Sequence, residues 1–305
     1  MKPSEELMSV STACRVHFTW LGTRKALTPG QREKAAEVFD AQGSELSASK
    51  RLIDTKHKAW RALAGVRRDA RNYWQTVTLP YPEDGVRLLK RSDVDSFQAK
   101  MEEFRDAMTL AVSELDGHYA ELKEIARHKL SDLYNAADYP DTLVGAFAMD
   151  WDYPSLEPPE YLMKLNPALF EQERLRMAAK FEEATKLAEM AFAEELKKLT
   201  AHLADMLTDG PEGRKQFRSS CLENLNAFFD NYGKMSIRSS AELDALVEQA
   251  KAVVGGLDPK DVRSAENDFR ADLAAKMVGI AEAIEANVVT APKRRISLPN
   301  QGDAA

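Results

Sequence analysis

The chain has 305 residues, 44% hydrophobic, 30% charged and 8% aromatic, which is enough apolar material for a packed core and excludes wholesale disorder. Its 42 basic and 49 acidic residues leave a net charge of −7, so any nucleic-acid surface has to be local rather than a property of the whole molecule. The longest nearly apolar run, residues 143–149, falls far short of the ~18 residues a membrane span needs, and the first six residues carry no apolar leader core; a cytoplasmic protein without membrane contact is expected.

Glycine is scarce, at 14 residues, and helix formers abound, which favours helix over sandwich or barrel. Two cysteines, Cys14 and Cys221, supply neither a disulfide framework nor a zinc motif, although one bridge between them stays open.

In residues 1–91, a mixed N-terminal base, Cys14, Val16, Phe18 and Trp20 alternate with Arg15, His17 and Thr19, the period of a half-buried strand. Thr28 caps a helix with Pro29 in its first turn and Ala35, Val38 and Phe39 on its apolar side, closed by Gln42 and Gly43. The spacing then predicts a short helix over 47–53. A longer one follows over about 56–77, with Trp60, Leu63, Val66, Ala70, Tyr73, Trp74 and Val77 along one side, and Pro80 and Pro82 end it. Residues 86–89 read as a second short strand.

Residues 92–210 hold the clearest pattern. From Ser92, apolar side chains recur at Val94, Phe97, Met101, Phe104, Met108, Ala111, Leu115, Tyr119, Leu122, Ala126, Leu130 and Leu133, predicting a helix of about forty residues. Pro167 opens another of similar length, striped by Phe170, Met177, Phe181, Ala184, Ala188, Leu196, Leu199, Leu203 and Met206 until Gly210 and Pro211. At 1.5 Å per residue each spans roughly 60 Å, and each stripe needs cover of equal length. A long antiparallel coiled-coil hairpin of the two satisfies both; pairing within a homo-oligomer would satisfy the same stripes. Between them a β insertion at 147–153 alternates Phe147, Met149, Trp151 and Tyr153 with Ala148, Asp150 and Asp152. Laid beside the first strand, it would present Asp150 and Asp152 to Arg15 and His17 in a small antiparallel sheet at the base.

Residues 211–291 read as three helices, over 216–232, 240–254 and 259–287, separated at Gly233 and at Gly255-Gly256 and packing on the hairpin base. Residues 292–305 are expected to form a disordered basic tail, with Lys293, Arg294 and Arg295 beside Ser297. The expected fold is therefore mainly α, a coiled-coil hairpin with a helical base and a small β-sheet.

Signatures of catalysis are missing from the pattern. No inward Glu-x-x-His marks a di-metal bundle; Glu114 with His118 and Glu124 with His128, four apart, read as solvated helix-face pairs. No phosphate-binding loop, dinucleotide fingerprint or nucleophile elbow occurs, and Gly255-Gly256 reads as a helix C-cap. A Cys14 nucleophile would need a base, yet alternation puts His17 on the opposite strand face, and Cys221 sits among Phe217, Leu222 and Leu225 as core. No catalytic, cofactor-binding or metal-ligating residue is assigned, and a non-enzymatic protein is expected.

The most unusual charge feature lies between Lys50 and Arg71, where eight basic residues against two acidic ones give +6, so the other residues sum to −13. On the helix predicted there, Lys58, Arg61, Arg67, Arg68 and Arg71 lie off the apolar side, a stripe suited to phosphates or to an acidic protein partner. The same charges are also accounted for as a solvated face meeting acidic helix faces such as Glu171, Glu173, Glu182 and Glu183. Trp60, Tyr73 and Trp74 fall on the buried side, as core rather than base-stacking platforms.

The segments Phe18-Thr-Trp-Leu-Gly-Thr-Arg-Lys-Ala-Leu, Ala48-Ser-Lys-Arg-Leu-Ile, Thr78-Leu-Pro-Tyr-Pro-Glu and Trp151-Asp-Tyr-Pro, with the long helix from Phe104, resemble a mainly helical family of bacterial, phage and plasmid proteins known as a domain of unknown function. The likeness covers roughly residues 10–290 and rests on turn and strand residues; no functional residues come with it. Members are often encoded near MoxR-type AAA ATPases, which implies a scaffold or adaptor of a mobile genetic element acting through protein–protein contacts, with such an ATPase as partner. The alternative is an accessory nucleic-acid-binding protein using the basic stripe.

Overall fold

The computed structural model describes residues 2–210 and 213–288 and is mainly helical, with a small antiparallel sheet. In chain order the first half runs α1 (Pro3–Val10), β1 (Ser11–Trp20), β2 (Arg24–Ala26), α2 (Pro29–Glu37), β3 (Ser49–Arg51), α3 (Lys58–Thr76), β4 (Thr78–Pro80) and β5 (Val86–Lys90). Then follow α4 (Val94–Gly117), α5 (Tyr119–Leu130) and β6 (Phe147–Asp152). The rest is α6 (Glu160–Leu165), α7 (Pro167–Leu207), α8 (Ser220–Met235), α9 (Ala241–Val254), α10 (Pro259–Ser264) and α11 (Asn267–Val288). The described residues form two compact units: one of residues 10–78 and 83–157, the other of residues 2–9, 79–82, 158–210 and 213–288. The basic tail expected over 292–305 lies outside the described residues.

The first unit is built on β1, the central strand of a four-stranded sheet ordered β4-β5-β1-β6. Residues Ser11 to Arg15 pair with β5 and Arg15 to Trp20 with β6, both antiparallel. Period-two alternation therefore sends Cys14 and Val16 into the core and leaves His17 and Thr19 exposed. The register sets Arg15 against Asp152 and His17 against Asp150, as charge complementarity along the two strands anticipates. Helices α3 and α4 pack together and α4 lies against β6. They bury Leu63, Ala70, Phe97, Met101, Met108 and Leu115, the positions the 3.6-residue period selects.

Two local expectations change. Residues 49–51 form a strand, not a helix: β3 pairs with β2, so hydrogen bonds to a segment 25 residues earlier override local preference. The helix expected to run unbroken from 92 to 133 stops at Gly117 and restarts at Tyr119. Gly117 weakens the helix there, and the Asp116 carboxylate accepts hydrogen bonds from the Leu143 N–H (2.7 Å) and the Thr142 hydroxyl (3.0 Å), tying the break to the following loop.

The second unit is organised around α7, 41 residues long, capped by the Asn166 side chain on the Leu169 N–H and opened by Pro167. Its buried stripe runs through Phe181, Ala184, Ala188, Leu196, Leu203 and Leu207. The cover comes from α11, with α8 and α9 adding to it. The expected hairpin is not confirmed: within its own unit α7 is covered by C-terminal helices, and within the other unit α4 is covered by α3 and β6. The C-terminal helices likewise pack along α7 rather than on a separate base. Leu273, Met277, Ile280 and Ile284 of α11 are buried, while Phe269, grouped with them by spacing, is exposed. Gly233 is passed through by α8, and the single helix expected over 259–287 divides at Ala265.

Arg270 explains how α7 ends. Its side chain is 2% exposed and donates to the Met206 and Leu207 carbonyls at 2.9 and 3.4 Å, placing a cation on the last turn, where carbonyls lack intrahelical partners. No helix among the described residues is long and apolar enough to cross a membrane.

Candidate functional site

Helix α3 carries the stripe singled out by charge. Ala59, Trp60, Leu63, Ala70 and Trp74 face the core. Lys58, Arg61, Arg68 and Arg71 are exposed and Arg67 is half-buried between the two sides. The structure does not leave all five alike. Arg68 pairs with its neighbour Asp69 (2.9 Å), and Arg61 Nε folds back to donate to the Lys56 carbonyl (3.0 Å). The Arg67 guanidinium lies 4.3 Å over the Trp20 ring and 5.4 Å over Phe18, with Arg71 5.7 Å over Phe18. Trp20 is braced edge-on by Trp60 (5.9 Å) and Phe147 (4.9 Å), so Arg67 closes an aromatic cluster at the end of β1. Burial first, and then the charge of Arg71, pull the Arg67 guanidinium below its ordinary value. Trp60 and Trp74 are buried, as expected of core.

Lys50, counted with the stripe, is not on the surface. Its side chain is 5% exposed and its ammonium meets Asp138 (2.6 Å) and the Leu133 carbonyl (2.6 Å). Lys25, opposite it in the β2–β3 ribbon, reaches the other oxygen of Asp138 at 2.6 Å. Hydrogen bonds from Lys25 and then Lys50 hold the Asp138 carboxyl below the usual carboxylate range. The other face of the ribbon sets Arg24 directly opposite Arg51, both exposed, with no ion pair to either among the described residues. Like charges facing each other across a ladder are unfavourable on their own. Spacing could not reveal this rung, since β3 was read as helix.

The carboxylates suggested as counter-charges have other partners: Glu171 pairs with Arg174, Glu173 with Arg176 and Glu182 with Lys2. The pairs expected at spacing four are also replaced, since His118 faces Glu121 (3.8 Å) and Glu124 takes Arg127 (3.2 Å).

A second surface is apolar. Along α6 and the start of α7, Tyr161, Met163, Leu165 and Leu175 are 61, 52, 77 and 63% exposed, and Leu169 is exposed as well. The first fully buried side chain of α7 is Phe181, four turns in. At the end of α2, Val38 and Phe39, expected on a packed face, are also exposed.

Cys14 and Cys221 are free and buried. Burial raises the Cys14 thiol to about 12, the opposite of what a nucleophile needs. Gly255 donates to the Lys251 carbonyl (2.8 Å) at the end of α9, so it is a helix terminus as read. The polar group that sequence reading missed is His57, His118 and Glu121, in which His57 is brought within 4.8 Å of two residues more than 60 positions later in the chain. Only the spacing of three between His118 and Glu121 hints at it, and that spacing is common on helices.

Comparison with protein-family models, curated proteins and solved structures finds no match to this chain.

Proposed function

We propose that this protein is a non-enzymatic helical adaptor of a mobile genetic element that binds a protein partner through the apolar surface of α6 and the first turns of α7. The observation that supports it is the run from Tyr161 to Leu175, where five large apolar side chains lie on the surface. Apolar side chains grouped in this way on a helical segment mark a contact surface, because leaving them in water forgoes about 25 cal/mol for each Å² that a partner would cover. The family likeness of the sequence suggests a MoxR-type AAA ATPase as that partner. The test is co-elution of purified chain and ATPase in size-exclusion chromatography with light scattering. Binding by the wild type and its loss in Leu165→Asp with Leu175→Asp, with helicity retained, is the expected result. Wild-type protein that stays alone with the ATPase and with host extract overturns the reading.

A second reading, an accessory nucleic-acid-binding protein, is favoured by the facing Arg24 and Arg51 and by the exposed Lys58 and Arg61 of α3. Phosphates would relieve the repulsion between the two guanidiniums and release counterions. Duplex and single-stranded DNA titrated at two salt concentrations test it: steep salt dependence, lost in Arg61→Glu with Arg68→Glu or in Arg24→Glu with Arg51→Glu, supports this reading. Absence of binding at low salt removes it.

A further inference from the structure

Three side chains that no sequence pattern joins converge where α3 begins and α4 ends. His57 is the residue before α3, His118 is the joint between α4 and α5, and Glu121 lies in the first turn of α5. One ligand atom from each can be chosen so that all lie within 4.8 Å of one another. The imidazole centroids of His57 and His118 are 5.0 Å apart with planes inclined by 59°, and His118 Nδ1 is 3.8 Å from a Glu121 carboxylate oxygen.

We infer that His57, His118 and Glu121 form a binding site for a single zinc ion, which fastens the start of α3 to the α4–α5 joint. Two observations beyond proximity support it. The first is the state of His57: its Nδ1 is shut off from solvent and has no hydrogen-bond partner, a condition that buried nitrogens rarely keep. The second is the place of His118. It sits where Gly117 has ended one helix, so its ring is carried by a backbone turn between two rigid helices, and the i,i+3 step brings Glu121 under it.

The chemistry of the donors selects the ion. Two imidazoles and a carboxylate form a borderline nitrogen and oxygen set, suited to Zn²⁺ and unsuited to the all-oxygen shells that Ca²⁺ and Mg²⁺ require. Three protein ligands leave the fourth tetrahedral position to water. Bonds of about 2.0–2.1 Å put tetrahedral ligand atoms roughly 3.4 Å apart, so the trio has to draw in by about an ångström. His118 and Glu121 are exposed side chains, free to make that rotamer adjustment, while His57, half-buried, stays as the fixed ligand. Lys56 and Lys58 flank His57 in the chain, and their positive charge weakens affinity for a cation. The inference does not rest on the adaptor reading, which uses other residues, Tyr161 to Leu175.

The experiment is calorimetric titration of the full chain with Zn²⁺, with Co²⁺ as the spectroscopic probe. A stoichiometry of one, Kd of about 10 µM or tighter, and visible Co²⁺ absorption of tetrahedral intensity are expected. His118→Ala and Glu121→Gln, both exposed changes that leave the core alone, should each weaken binding at least about tenfold, and His57→Ala should abolish it. Circular dichroism of the metal-free variants checks that they are folded. Zn²⁺ should also raise the thermal midpoint of the wild type and not of His118→Ala. Binding that is absent in the wild type, or equally tight in His57→Ala and His118→Ala, overturns the assignment.

Discussion

Arg15 of β1 and Asp152 of β6 face each other across the sheet, the guanidinium meeting both carboxylate oxygens at 2.6 and 3.1 Å. The His17 imidazole also lies near that carboxylate, at 3.6 Å. The Arg15 hydrogen bond is the main reason the Asp152 carboxyl is held below its ordinary value. A depressed carboxylate contributes stability that is in place above the unfolded-state value near 4 and is lost as the pH falls through the folded-state value. Urea midpoints measured at pH 7 and at pH 3 should therefore fall further for the wild type than for Asp152→Asn. Equal falls in the two proteins would remove this pair from the acid response.

Asp138 sits between two lysines, one of them buried. Asp138→Asn leaves the buried Lys50 ammonium without a counter-charge, and breaking a buried pair on one side costs about 3 kcal/mol. Lys50→Met with Asp138→Leu should cost less than the single change, because both buried charges are removed together. Chemical denaturation of the three proteins separates the cases; a double variant less stable than Asp138→Asn would contradict the account.

Arg270 offers a direct test of how α7 terminates. Arg270→Met keeps the length of the side chain and removes both donors to the Met206 and Leu207 carbonyls, so a loss of about 1–2 kcal/mol is expected. Amide exchange in the last turn of α7 should rise with it. Unchanged stability and exchange would show that water caps those carbonyls equally well.

Burial raises the Cys14 thiol to about 12. A thiol whose folded value lies above its unfolded one holds its proton better when folded, so its contribution is complete below about 9 and disappears as the pH climbs toward 12. Cys14→Ala should accordingly flatten the decline in stability between pH 9 and pH 11. In the native wild type at neutral pH, Cys14 should react with iodoacetamide far more slowly than an exposed thiol. Prompt labelling of Cys14 under native conditions would refute its burial.

Much of the local structure was legible without coordinates. The alternation from Cys14 to Trp20 and from Phe147 to Asp152 identified two strands, and complementary charges anticipated even their register. Thr28 does cap α2 through a reciprocal bond with Gln31, and Pro167 does open α7. The apolar side of α3 was read correctly as well. Of the candidate surface, the exposed lysine and arginines of α3 were found by charge alone, but not the removal of Lys50 from that surface by Asp138, the cation–π seat of Arg67 on Trp20, or the Arg24–Arg51 rung.

Residue order by itself determined which side of each helix and strand is apolar and where most elements begin and end, because periodicity, caps and proline act over a few neighbouring positions. Tertiary structure decided what each element meets: α11 along α7, β2 beside β3, and His57 within reach of His118. The physical reason is that a greasy stripe specifies that it must leave water and says nothing of which surface does the covering. That choice belongs to contacts between residues far apart in the chain, whose combined packing no local pattern records.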